Sequence, residues 1–70
     1  MSQYLIVIDD AGPNFSAHAP DVPGCVATGH TIEETVANMQ DALVFHFHGL
    51  RAEGLPVPEP SSRAAIVDAR

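Results

Sequence analysis

Apolar positions along this chain follow one rhythm near the start and another in the middle. Tyr4–Asp9 reads YLIVID, a short β-branched run with Tyr4, Ile6 and Ile8 on one face and Leu5 and Val7 on the other. Such a run predicts a buried strand, in a sheet covered on both sides. DAGPN, residues 10–14, is turn chemistry at every position but Ala11, and FSAHA, residues 15–19, then alternates Phe15, Ala17 and Ala19 against Ser16 and His18. Together they predict a β-hairpin. A further turn, PDVPG at residues 20–24, hinges on Pro23-Gly24 and leads into CVAT at 25–28. That third short strand starts at Cys25 and is closed by Gly29, where a chain reversal calls for backbone freedom.

The period then changes to that of a helix. Thr31 followed by Glu34 is a capping box, in which the Thr31 hydroxyl accepts from the Glu34 amide while the Glu34 carboxylate reaches back. Ile32, Val36, Met39, Leu43, Phe47 and Leu50 recur at steps of four, three, four, four and three, which places them on one stripe. The helix should run to about Ala52 and stop at Gly54. At about 1.5–3 kcal/mol per buried side chain, this stripe on the sheet forms the main core. LPVPEPSS, residues 55–62, should run extended over the surface, and RAAIVDA should return as a last strand around Ala65–Asp68. The predicted fold is α+β, ordered βββαβ, with one long helix packed on a small, antiparallel-rich sheet. Residues 1–70 form a single domain.

Composition narrows what such a domain can do. Folding at this size removes only about 60% of the surface an unfolded chain exposes, so a marginal core favours self-association as a homodimer or homotetramer. Nine Asp and Glu against three Lys and Arg leave a formal charge of −6, which excludes neutralising a row of phosphates on nucleic acid. An acidic surface instead steers toward a basic partner. One cysteine permits no internal disulfide, the N-terminus lacks a secretory pattern, and no apolar run reaches the roughly 20 residues of a membrane helix. The expectation is a soluble cytoplasmic protein.

Candidate chemistry is thin. Cys25 and His30 invite a thiolate–imidazole pair, but a strand of about four residues holds them roughly 13 Å apart along its axis. Cys25 is then a small buried or half-buried thiol. His46 and His48 point about 200° apart on a helix and cannot share one ion, so no metal or cofactor is expected. The acidic residues are explained by turns and by the helix start. Val44, Phe45 and His48 are more informative, because Val44 and Phe45 lie off the stripe, where a solvated helix carries charge. They mark a candidate face for self-association or for a partner.

The wording of the chain also resembles a known family. YLIVIDDAGPNFSAHAPDVPGC, the G-H-T-I-E-E helix start and LPVPEPSS after a long helix are similar to the HicB-type antitoxins and their stand-alone relatives, over essentially all 70 residues. The resemblance implies a partly degraded ribonuclease-H-like fold without the nuclease's acidic metal site. It also implies a binding partner, a HicA-type toxin that cleaves mRNA through a catalytic histidine, neutralised by covering its site. An orphan relative, acting as an oligomeric regulator or scaffold for another protein or small ligand, is the alternative; a small hydrolase using Cys25 or a histidine-bound metal is the reading disfavoured above. Full-length antitoxins of this type usually carry a C-terminal DNA-binding segment with no counterpart here. With Arg51, Arg63 and Arg70 as the basic side chains, operator binding unaided is not expected. His30 stands where relatives more often carry Asp or Glu.

Overall fold

A computed structural model of the chain describes residues 2–70. The elements run β1 (Val7–Asp10), β2 (Phe15–His18), β3 (Val26–Gly29) and α1 (Ile32–Ala52). The strands pair antiparallel in the order β1-β2-β3, and α1 lies across one face, which is the expected α+β architecture. The hairpin turn closes through the Ala11 amide on the Asn14 carbonyl at 2.9 Å and the Gly12 amide on the Asp10 carboxylate at 3.1 Å.

Register decides which side chains meet the helix. Ile8, Ala17 and Ala27 stand side by side across the sheet and face α1, where Ala17 is fully buried and Met39 and Phe47 fill the space above. The small residues at the centre of the sheet let the helix approach. Val7, His18 and Val26 form the corresponding row on the other face, flanked by Asp9, Ser16 and Thr28. That face has no cover among the described residues, contrary to the two-sided burial read from β1. The apolar alternation of β1 is overruled by Ser16, His18 and Thr28 on its neighbours, which are content in water.

α1 begins and ends as its sequence predicts. The Glu34 amide donates to the Thr31 hydroxyl at 3.0 Å, while the Glu34 carboxylate reaches one residue beyond the usual box and accepts from the His30 amide at 2.8 Å. At the other end Gly54 adopts φ +72°, and the Leu55 amide closes on the Leu50 carbonyl at 2.9 Å, a Schellman stop. The apolar stripe holds from Met39 onward but not before it: Ile32 and Val36 remain 49% and 40% exposed. Thr35 takes their place against the sheet. It is fully buried, its hydroxyl satisfied by the Thr31 carbonyl at 2.7 Å.

Gly29 explains that exchange. A Cβ built on it would stand 2.6 Å from the Thr35 hydroxyl oxygen and 2.7 Å from the Thr35 amide nitrogen. Its φ is not positive, so the residue is small for close approach and not, as first read, for chain reversal. The sheet is also shorter than predicted. β1 starts at Val7 instead of Tyr4, because β2 ends at His18, opposite Val7, and among the described residues no strand pairs with residues 2–6. The last strand predicted around Ala65–Asp68 does not form: residues 55–70 carry no strand. Leu55–Pro58 is tied down by the Tyr4 hydroxyl on the Pro58 carbonyl at 2.5 Å and by Val57 packed against the core, but among the described residues nothing pairs with residues 63–70, and Ile66 is fully exposed. A lone β-branched run without a ladder has no reason to be a strand.

The Gly29 contact makes a stability prediction. Gly29→Ala should cost about 1–3 kcal/mol by overpacking, lowering Tm by at least about 4 °C in a domain this small. Thermal unfolding by circular dichroism measures it, and an unchanged Tm would mean that α1 is not seated through this approach.

Candidate functional site

Residues 20–34, where cysteine, histidine and carboxylates crowd together, form a joint between sheet and helix. Two turns follow one another, the Val22 amide on the Ala19 carbonyl at 3.0 Å and the Cys25 amide on the Val22 carbonyl at 3.2 Å. Pro23-Gly24 occupies the corner of the second, with Gly24 at φ +85° as a type II turn requires. Cys25 is buried and its thiol is pushed up by that burial, away from the thiolate. The whole of β3 lies between it and the exposed His30. Thr31 and Glu34 are spent on the helix cap. Among the described residues no group of three or more His, Cys, Asp or Glu could hold a metal ion.

The outer side of α1 is different in kind. Val44 and Phe45 are 65% and 80% exposed, and His48 stands exposed on the next turn. Beside Phe45 the absent side chain of Gly49 leaves a shallow hollow, bounded by His46, Leu50 and Glu53. Asp41, one turn before Phe45, and Glu53, two turns after, set negative charge along this apolar ridge. The His46 ring leans on Phe47 at 6.2 Å between centroids and is half-buried. Of the candidate residues, Val44, Phe45 and His48 therefore share one face, while Cys25 and His30 do not meet.

A second feature escaped the sequence reading. Between residues 2–6 and α1 runs an open groove of about 1030 Å³, walled by Tyr4, Ile6, Val36, Leu43, Val44, Phe47 and Val57. The Tyr4 and Phe47 rings meet at its floor, 5.0 Å between centroids. Nearby, Asp21 grips the chain beyond the groove: its carboxylate accepts from the Ser61 and Ser62 amides, each at 2.9 Å, and from both hydroxyls, at 3.1 and 2.7 Å. The sequence places Asp21 simply in a turn. A carboxylate 40 residues upstream of a Ser-Ser pair carries no local signal of the contact.

Comparison with known proteins gives a consistent picture. A family model described as HicB_like antitoxin of bacterial toxin-antitoxin system matches residues 4–70. A Haemophilus phage HP1 protein, described as an uncharacterized 14.9 kDa protein in the rep-hol intergenic region, is 32% identical over 56 residues. The match takes in 80% of this chain but 42% of that protein, so the chain spans less than half of its relative's length. A chain in a solved structure described as HicA3 and HicB3 toxin-antitoxin complex superposes with TM-score 0.75 at 32% identity, covering 86% of this chain and 70% of that one.

The Asp21 clamp predicts a pH signature. Hydrogen bonds from the Ser62 amide and hydroxyl, then from Ser61, hold its carboxyl far below the ordinary range. A folded-state value below the unfolded one means the clamp's contribution is complete above about pH 4 and is lost only as pH falls through the lowered value. The Asp21 carboxyl carbon resonance should stay flat from about pH 5 to about pH 3. A midpoint near ~4 would show that Ser61 and Ser62 do not hold it.

Proposed function

The chain belongs to the HicB-like antitoxins of bacterial toxin–antitoxin systems, and from that premise we propose that it neutralises a HicA-type mRNA-cleaving toxin by binding it directly, with no chemistry of its own. The likeness to a chain of a toxin–antitoxin complex carries this reading. The buried, protonated Cys25 and the carboxylates committed to turns and caps support a stoichiometric inhibitor over an enzyme. So does the charge. A protein of −6 meets a basic, RNA-handling surface with favourable steering, in the cytoplasm where mRNA is cut.

The Val44–Phe45–His48 face of α1 is the contact surface in this proposal. An exposed phenylalanine beside a hollow, flanked by Asp41 and Glu53, offers an aromatic anchor with an acidic rim, the arrangement that concentrates binding energy at protein interfaces. Placing it on the middle of a capped, seated helix keeps it rigid without help from a partner.

Co-expression with a HicA-type toxin encoded beside the gene tests the reading. The wild-type chain should restore growth, co-purify with the toxin and protect RNA from it. Phe45→Asp should fold with unchanged Tm, because the side chain is largely in water, yet lose at least about 2 kcal/mol of binding and with it the rescue. No complex and no rescue by the wild-type chain would reject the inhibitor in favour of an orphan regulator. Full rescue by Phe45→Asp would move the contact off this face.

A further inference from the structure

We propose that residues 63–70 of one copy of this chain add as an edge strand along the free side of β1 of a second copy, closing the groove over α1, so that two copies exchange tails. The tail is built for a strand and has none to join. Its apolar residues Ile66 and Val67 are 101% and 80% exposed, and among the described residues nothing pairs with residues 63–70. The molecule is drawn out accordingly: its radius of gyration is 13.4 Å, against about 11 Å for a compact chain of this length.

The acceptor is equally incomplete. β1 is an edge strand, and among the described residues no strand pairs with residues 2–6 before it, where the Tyr4 hydroxyl on the Pro58 carbonyl is the side-chain tie; the groove between residues 2–6 and α1 leaves Val36 and Val44 uncovered. Val36 belongs to the stripe that sequence periodicity assigns to the core, and an added strand at this edge is the cover that stripe lacks. Successive residues of a strand face opposite ways. Ile66 toward the groove would place Val67 on the open sheet face that carries Val7.

A tail from the same copy is steered elsewhere. Asp21 holds Ser61 and Ser62, and Asp21 follows β2, which lies across β1 from the free edge. The chain is thus led past the end of β1 to its far side before the tail begins. Charge favours a second copy as well. Residues 1–60 hold eight Asp and Glu against Arg51, a balance of −7, while residues 61–70 hold Arg63 and Arg70 against Asp68, a balance of +1, which together make the chain's −6. Laid along β1 in either direction, the tail brings Arg63 or Arg70 toward Asp9 and Asp10. Reciprocal exchange closes with two-fold symmetry and leaves no further edge of this kind open.

Sedimentation of the full chain, without any toxin, tests this independently of the inhibitory role. The wild-type chain should sediment as a dimer and dissociate more readily as salt rises, while Ile66→Asp with Val67→Asp should be monomeric with the same far-ultraviolet circular dichroism. In hydrogen–deuterium exchange, amides of residues 64–69 should be protected in the dimer and lose protection on dilution. A wild-type monomer at ~100 μM, a double variant that stays dimeric, or tail amides exchanging at free-coil rates within a dimer would each overturn the proposal. Tail protection that arises only when a toxin is added would overturn it too, in favour of the toxin as occupant.

Discussion

Everything outside the sheet is placed by the approach of Thr35 to the backbone of Gly29. A four-residue strand ends, two residues intervene, and the helix must come back across the sheet with almost no room to turn. Only a residue without a side chain lets the first turn of α1 settle there, and Thr35 is buried at the contact without an orphaned polar group because its hydroxyl is satisfied within its own helix. The Thr31 cap fixes where the helix starts and the Gly29 seam fixes how close it lies. From those two constraints follow the burial of Met39 and Phe47 on the inner face and the exposure of Val44 and Phe45 on the outer.

Among the described residues, three four-residue strands and one helix of 21 residues leave an uncovered sheet face, an unpaired strand edge and an apolar ridge on the helix. In an isolated enzyme domain these would be liabilities. For the binding role proposed above they offer two surfaces that meet at Val44: the ridge around Phe45 on the outer side of α1, and the groove between residues 2–6 and α1. Phe45 and His48 do not line the groove, so a strand seated there leaves them open to a partner.

The local grammar of the chain was readable because its causes are local. Capping at Thr31 and Glu34, the Gly54 stop, the Pro23-Gly24 turn and the hairpin each depend on residues within a few positions, and each stands where expected. The off-stripe exposure of Val44 and Phe45 was readable for the same reason. What failed depended on distant neighbours. β1 looked two-sided because its own sequence cannot report Ser16 and His18 beside it. Ile32 and Val36 looked buried because periodicity does not know how far a sheet extends. Gly29 was read as a hinge because the approach of Thr35 lies in three dimensions, and the Asp21 grip on Ser61 and Ser62 joins segments with no shared pattern. The last strand at Ala65–Asp68 was read from composition alone, and a strand also needs an edge to pair with.

The central claim is that the outer face of α1 meets the toxin. Amide and side-chain chemical shifts of the labelled chain, followed as unlabelled HicA-type toxin is added, measure this most directly. The account predicts that the largest changes fall on Asp41, Val44, Phe45, His48 and Gly49 while Val7, His18 and Val26 on the open sheet face stay put. Changes concentrated on the sheet face, with α1 undisturbed, would contradict it.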